Sequence, residues 1–560
     1  MVDTGGWLRT VAPMLDDLLA VLPTEAHLAA LSLAITGDHP DAVEADLAFG
    51  APAPTPATVA LVSSAIAAGL DPLGDVFCVL RSPAARRAAG QFYTPAPIVD
   101  AMCDWVASSA AVRAVDAGCG SGRYAVALAR SGFTGTIIAV DPDPLAVLMT
   151  RAHGRVAGVS LTVIRASFLD LDLPPVSGPT AWFGNPPYLR HHNLGAPVKA
   201  WAKATGAACG VAVSGLAGLH ALFFLAVAAH GRPGDVGTFI TSSEWFDNSY
   251  GALVRTLLTG PLGLTRLDVV PPATGTFADA TTTAVITSFI LGATADPLTA
   301  DLLDPSAPPP LAGGRVLSRA ALAASPRWTA TLAGAPVAVP AGFVALGEHL
   351  GVARGIATGA NKFFTMTPAA AAAAGLGRYG WPLIARAADV YAAGGFIRPA
   401  ALPKVLLVLP DRGSDPVVDA YVTAAEAAGV HLGYLNAARR IWYRVETPRP
   451  APVVATYMAR QAPRFAVNTA LDSAGRAGAL NLNNVHGLRP RPGFPPELVA
   501  PLVAWLNANG DTLSGGRTYA GGLNKFEPSE MAALLVPDLA GLWALTAQAS
   551  TPECLAAAGA

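Results

Sequence analysis

AVRAVDAGCGSGRYAVALARSG (residues 111–132) joins a short apolar strand to a helix through a turn rich in glycine. The turn is Asp116-Ala117-Gly118-Cys119-Gly120-Ser121-Gly122, and the helical pattern starts at Arg123. Glycine at Gly118, Gly120 and Gly122 permits positive φ and lets the backbone approach a ligand at a helix N-terminus. The next strand pattern, TGTIIAVD, ends in Asp141, 25 residues after Asp116. An acidic side chain at that distance can hold both ribose hydroxyls of a nucleoside. The turn has no phosphate-cradling Lys and no third glycine of a dinucleotide pattern. A nucleoside without pyrophosphate fits such a turn, and S-adenosylmethionine is the expected cofactor.

Working outward, further short strand patterns alternate with helical ones: LTVIRAS, TAWFGN, VGTFITS and TAVITSFIL. This alternation predicts an α/β fold, a doubly wound and mainly parallel sheet over residues 81–295. The third strand runs into Ser167-Phe168-Leu169-Asp170. Phe168 is placed to lie against the cofactor's adenine ring, a contact of ~1 kcal/mol beyond burial.

The fourth strand, TAWFG, runs into Asn185-Pro186-Pro187-Tyr188, some 65 residues past the glycine turn. At the carboxyl end of a strand in such a sheet, side chains face the ligand crevice. The exocyclic amine of a heteroaromatic ring is a poor nucleophile because its lone pair is delocalised. Acceptors aimed at its two N–H groups localise that pair. The Asn185 side-chain oxygen and the Pro186 carbonyl can do this together. Consecutive prolines stiffen the loop, and Tyr188 offers a face on which a planar base can stack, worth ~1–3 kcal/mol.

The chain's 560 residues, 52% hydrophobic and 14% charged, suit two or three domains with a large core. Residues 1–80 read as a helical N-terminal segment broken at FGAPAPTPAT. TADPLTADLLDPSAPPP (294–310) opens an expected linker over 296–340. An irregular domain over 341–540 and a tail over 541–560 follow. Five scattered cysteines, with no C-x-x-C pair, exclude a disulfide framework and a Cys-rich zinc site, and no metal is expected. The start, MVDTGGWLRTVAPMLDD, lacks the pattern of a signal peptide. LAGLHALFFLAVAA (216–229) is shorter than a membrane span and reads as a core helix. A soluble, cytoplasmic protein is expected. Residues 351–530 carry 18 Lys and Arg against 11 Asp and Glu, whereas the rest carries 19 against 28. A basic C-terminal half on an acidic remainder suits a phosphate-facing surface.

Taken in order, these motifs resemble the gamma-class N6-adenine DNA methyltransferases, the TaqI-like modification enzymes of bacteria. Gln91-Phe92-Tyr93-Thr94-Pro95 matches that family's N-terminal cofactor motif, and DAGCGSG, AVDPDP and NPPY come after it. TSSEWFDNSYGALVRTLL and TGTFADATTTAVITSFIL are similar to its later catalytic motifs. VARGIATGANKFF, PRFAVNTA, LNNVHGLRP and GGRTYAGGLNKFEPSE resemble its target-recognition domain.

The resemblance implies a Rossmann-like class I methyltransferase domain followed by an α+β target-recognition domain. It implies cofactor binding by Thr94, Pro95, Asp116, Gly118, Gly120, Gly122, Asp141, Ser167 and Phe168. It also implies catalysis by Asn185, Pro186, Tyr188 and Phe277, with an adenine extruded from double-stranded DNA between Tyr188 and Phe277. Where the family has Asp-Phe this chain has Ser167-Phe168, which leaves Ser167 or Asp170 to meet the cofactor's adenine amine. A separately encoded restriction endonuclease is the partner such an enzyme can have, and monomeric action is expected. No P-C dipeptide supplies the nucleophile that cytosine C5 methylation needs. Methylation of RNA or of a protein glutamine, or a non-catalytic DNA-binding role in defence, are the alternative readings.

Overall fold

The computed structural model describes residues 14–549 except 38, 83–84, 87–93, 271–282, 295–297, 303–310, 326, 334–338, 448, 460, 473–474, 511–512, 514–516 and 520–522. Phe277 and the Gln91-Phe92-Tyr93 part of the N-terminal motif lie outside the described residues. The chain divides into two compact units, Met1–Pro336 and Val337–Ala560.

The first unit is built on one nine-stranded sheet. In chain order its strands are β1 Arg113–Ala117, β2 Thr136–Asp141, β3 Leu161–Arg165, β4 Thr180–Gly184, β5 Val236–Ser242, β6 Leu264–Val270, β7 Ala284–Ile290, β8 Leu298–Leu302 and β9 Arg315–Leu317. Their spatial order is β3-β2-β1-β4-β5-β7-β6-β8-β9. Neighbours from β3 through β5 pair in parallel. β7 enters antiparallel between β5 and β6, β8 runs parallel to β6, and β9 closes the edge antiparallel. The fold is therefore the Rossmann-like α/β methyltransferase architecture, mainly parallel and doubly wound.

Alternation along β1 shows why both faces are covered. Val115 and Ala117 enter one buried cluster with the Leu219–His230 and Ala252–Thr259 helices. Ala114 enters another with the Ala96–Ala107 and Arg123–Arg130 helices. The apolar run at 216–229 forms the Leu219–His230 helix, buried from His220 to Val227. It starts only after Gly218, whose extended backbone caps it. Among the described residues no single helix is long and apolar enough to cross a membrane.

Helices Glu25–Thr36, Ala42–Leu47, Pro56–Ala67 and Pro72–Leu80 precede the sheet. Their core, with Leu28, Leu31, Val62, Ile66, Val76 and Phe77, closes on Leu145, Leu148 and Met149 of the Pro144–Ala157 helix.

The expected linker over 296–340 is corrected here. β8 and β9 fall inside it and extend the sheet, β8 pairing on β6 and β9 on β8. Trp328 is fully buried in the first unit's core, and Arg319 donates to the Leu264 carbonyl at 2.7 Å. The Pro- and Asp-rich composition hid a short strand next to the sheet edge, LTADL, whose alternate residues Leu298 and Ala300 are buried.

Among the described residues the second unit carries four small sheets. They are built from β10 Phe343–Ala345, β11 Leu350–Arg354, β12 Thr365–Met366, β13 Gly380–Ile384, β14 Lys404–Leu407, β15 Val453–Thr456, β16 Met458–Ala459, β17 Phe465–Val467, β18 Leu480–Asn481, β19 Val485–Pro490, β20 Arg517–Tyr519, β21 Leu523–Lys525 and β22 Leu535–Pro537. The largest are ordered β11-β19-β15-β17 and β12-β14-β13-β18. VARGIATGANKFF contributes β11 (Leu350–Arg354) and LNNVHGLRP contributes β19 (Val485–Pro490), which pair antiparallel. PRFAVNTA supplies β17 (Phe465–Val467) of the same sheet.

Candidate active site

The strand order reverses between β1 and β4, since the chain winds one way from β1 to β3 and the other from β4 onward. Such a switch point opens a crevice at the carboxyl ends of the strands. A cavity of about 400 Å³ lies there. Its wall includes Thr94, Gly118, Gly120, Asp141, Ser167, Phe168 and Asn185, which the sequence placed in two different roles. Asp116, Pro95, Gly122, Pro186 and Tyr188 adjoin these residues in the chain without lining the cavity.

The glycine turn has the backbone its sequence demands. Gly118, Gly120 and Gly122 have φ of 78°, 57° and 86°. A Cβ on Gly122 would lie 3.0 Å from the Thr150 Cα, so the turn also packs too tightly for a side chain. Asp141 holds the turn in place. One carboxylate oxygen accepts from the Gly120 N–H at 3.1 Å, and the other from the Asp143 N–H at 2.9 Å. Burial pushes its pKa up to about 6 against these two hydrogen bonds. Across the cavity, Phe168 stacks on Phe223 with centroids 4.8 Å apart and planes 29° apart. Together they form an apolar wall. Ser167 caps the short Phe168–Asp170 turn by accepting from the Leu169 N–H at 3.3 Å, whereas Asp170 is exposed.

Asp116 is fully buried. One of its oxygens accepts from the Ala125 N–H at 3.1 Å and the other has no partner among the described residues. Desolvation pushes its pKa up to about 8, opposed by that one hydrogen bond. A carboxyl raised in this way takes up a proton on folding. Its favourable contribution is complete below the ordinary carboxylate range and is lost as pH rises through 8. Asp116→Asn should therefore raise the melting temperature of the cofactor-free protein, and by more at pH 8 than at pH 5. Thermal denaturation at the two pH values checks this. An equal shift at both would mean that Asp116 is not protonated in the folded state.

β4 delivers the Asn185-Pro186-Pro187-Tyr188 loop. Gly184, with φ of 132°, ends the strand where a Cβ would sit 3.1 Å from an Asp116 oxygen. Asn185 donates from Nδ2 to the Thr94 hydroxyl at 3.1 Å. Pro186 is buried. The Tyr188 hydroxyl lies 3.4 Å from the Ile240 carbonyl on β5, and burial pushes its pKa up. Its ring lies 6.0 Å from that of His220, tilted by 30°. His220 is buried, and neither ring nitrogen has a hydrogen-bond partner among the described residues. Desolvation lowers its pKa to about 4, so the imidazole is neutral.

Sequence reasoning missed several of these groups. Phe223 lies inside an apolar helix pattern that gives no hint of a cavity. A second missed group is the junction on Asp71, which caps the Pro72–Leu80 helix by accepting from the Gly74 N–H at 2.9 Å. It also accepts from the Ser121 hydroxyl at 2.6 Å and from Arg123 Nε at 2.9 Å. Arg123 reaches Asp75 at 3.2 Å and the Thr94 carbonyl at 2.7 Å. The Asp71-Pro72 dipeptide is a helix-start signal, but nothing local ties it to residues 121–123.

A methyltransferase-domain family model matches residues 114–201, and the model of the C-terminal domain of type II methyltransferase M.Eco57I matches residues 337–553. The chain is 37% identical over 540 residues to type II methyltransferase M.XamI of Xanthomonas campestris pv. amaranthicola, covering 93% of this chain and 100% of the relative. It is 24% identical over 481 residues to type II methyltransferase M.AccI of Acinetobacter calcoaceticus, covering 81% and 86% of the two chains. Among solved structures, the Type IIL restriction–modification enzyme MmeI in complex with DNA matches with a TM-score of 0.51 at 12% identity, over 86% of this chain and 75% of that one. This last likeness is one of fold. Identity of 37% across nearly the whole of both chains carries the conclusion that this protein belongs to the type II methyltransferases of restriction–modification systems.

Proposed function

We propose that the protein transfers a methyl group from S-adenosylmethionine to N6 of adenine in double-stranded DNA, with the target base extruded from the helix. The observation that carries this reading is the shared cavity: Asn185 and Pro187 line the same wall as the glycine turn, Asp141 and Phe168. The donor set suits the cofactor. Asp141 can take the ribose hydroxyls, Phe168 and Phe223 the adenine, and Asp116 a positively charged group near the turn. When bound, S-adenosylmethionine supplies an electrophilic methyl on sulfonium sulfur.

The remaining work falls to this chain's own residues. The Asn185 side-chain oxygen and the Pro186 carbonyl accept from the two N–H groups of the target amine and localise its lone pair. Tyr188 stacks on the extruded base, and Phe277 covers its other face. No strong base is required, because the amine gives up its proton after it has become cationic. Residues 337–560, with their basic excess, hold the duplex and read base edges. Such an enzyme protects host DNA from a cognate endonuclease and acts as a monomer in the cytoplasm.

The test is transfer of labelled methyl to mixed-sequence duplex DNA, followed by nucleoside analysis. N6-methyladenine at one short motif is the expected product. N4-methylcytosine would move the target to another exocyclic amine. Label in RNA or in a protein glutamine would overturn the DNA assignment.

A further inference from the structure

The contact between Thr94 and Asn185 gives Thr94 a task apart from holding the cofactor. Only the carbonyl end of the Asn185 amide can accept from a target amine, and the two ends of an amide exchange by a half-turn. The Thr94 hydroxyl oxygen takes Nδ2 of Asn185 at 3.1 Å and the Tyr124 hydroxyl at 3.0 Å. With the Tyr124 hydroxyl and Nδ2 as its two donors, the Thr94 oxygen holds the amide with Nδ2 toward Thr94 and Oδ1 turned away from it. Thr94 is itself fixed: it is 2% exposed and its carbonyl accepts from Arg123 at 2.7 Å. Arg123 is clamped by Asp71 and Asp75 at the start of the Pro72–Leu80 helix. An unbroken chain of hydrogen bonds thus runs from the N-terminal helices to the catalytic loop.

We propose that Thr94 is a positioning residue that sets the Asn185 amide with its oxygen toward the target amine, and that Arg123 and Asp71 anchor it from the N-terminal helical segment. This rests on the reading of Asn185 as the acceptor of that amine. Thr94→Val keeps the shape and removes the hydroxyl, and Thr94→Ser restores it.

The experiment measures single-turnover methyl transfer to duplex DNA and cofactor affinity by calorimetry, for Thr94→Val, Thr94→Ser, Asn185→Ala and Thr94→Val with Asn185→Ala. Thr94→Val should slow transfer at saturating cofactor by about 10- to 100-fold, a larger factor than its loss of cofactor affinity. Thr94→Ser should recover most of the rate. The double variant should be no slower than Asn185→Ala alone, because Thr94 acts through Asn185. A full rate in Thr94→Val, an additive loss in the double variant, or a loss of cofactor affinity matching the loss of rate would overturn the proposal. A full rate in Asn185→Ala would overturn the acceptor reading beneath it. Tyr124→Phe, which removes the other contact of the Thr94 hydroxyl, serves if Thr94→Val does not fold. It should slow transfer by several-fold at unchanged cofactor affinity, and a full rate there would count against the proposal.

Discussion

Asn185→Ala should lower the single-turnover rate of methyl transfer by about 10²–10³-fold, a loss of ~3–4 kcal/mol, as expected for one preorganised polar partner of a reacting group. Cofactor affinity should stay within a few-fold of the parent. Gly184 ends β4 with φ of 132°, Pro186 and Pro187 stiffen the loop beyond it, and the Asn185 amide is tied to Thr94 at 3.1 Å. In the proposed mechanism that tie leaves the Oδ1 end of the amide to accept from the target amine. Alanine removes that oxygen and leaves the Pro186 carbonyl as the remaining acceptor. The loss should fall on the chemical step, because localising the amine's lone pair matters more in the transition state than in the bound state. Rapid-quench transfer and equilibrium cofactor binding separate the two effects. A variant that loses cofactor binding and its cooperative melting together would show that Asn185 supports the fold. A variant within tenfold of the parent rate would place the acceptor elsewhere.

The glycine-turn half of this cavity was legible because its residues are forced by backbone geometry. Gly118, Gly120 and Gly122 adopt positive φ, and Asp141 sits at the end of the adjacent strand, so chain spacing alone locates them. The six strands read from short apolar runs coincide with β1 to β5 and β7. β6, LTRLDVV, escaped because Arg266 and Asp268 interrupt its apolar pattern. Both are buried there, and Arg266 Nε donates to the Asp268 carboxylate at 2.7 Å, which a sequence does not reveal. β8 was lost to the prolines and aspartates around it. Contacts across long separations were equally hidden. Asp71 meets Ser121 and Arg123 some fifty residues away, and Thr94 meets Asn185 across 91 residues. Pairings of that kind depend on how helices pack over a sheet, and no local periodicity encodes them.

Asp141→Ala should weaken S-adenosylmethionine binding by about 10²–10³-fold, because hydrogen bonds to a charged acceptor contribute ~1.5–3 kcal/mol each and two ribose hydroxyls lose theirs. The same carboxylate holds the Gly120 and Asp143 N–H groups at 3.1 and 2.9 Å, so alanine also frees the glycine turn that shapes the cavity. The pH dependence distinguishes the direct contact from loop loosening. In the cofactor-free protein, burial raises the Asp141 pKa to about 6. Ribose hydroxyls donate to the ionised form, so binding favours the carboxylate and drives off a proton below that pH. Affinity in the parent protein should therefore be level above pH 6 with respect to this group and fall by about tenfold for each pH unit below it. Asp141→Asn keeps one acceptor and cannot titrate. It should bind less tightly at pH 7 and lack the Asp141 part of the fall between pH 6 and 5. Asp116, raised to about 8, must ionise to hold the cofactor's cation and so adds the same slope to all three proteins between pH 5 and 7, and the Asp141 effect is the difference in slope between the parent and Asp141→Asn. Calorimetry at pH 5, 6 and 7 on the three proteins supplies the comparison. If Asp141→Asn retains the parent's slope, another group controls cofactor uptake and Asp141 acts only by holding the glycine turn.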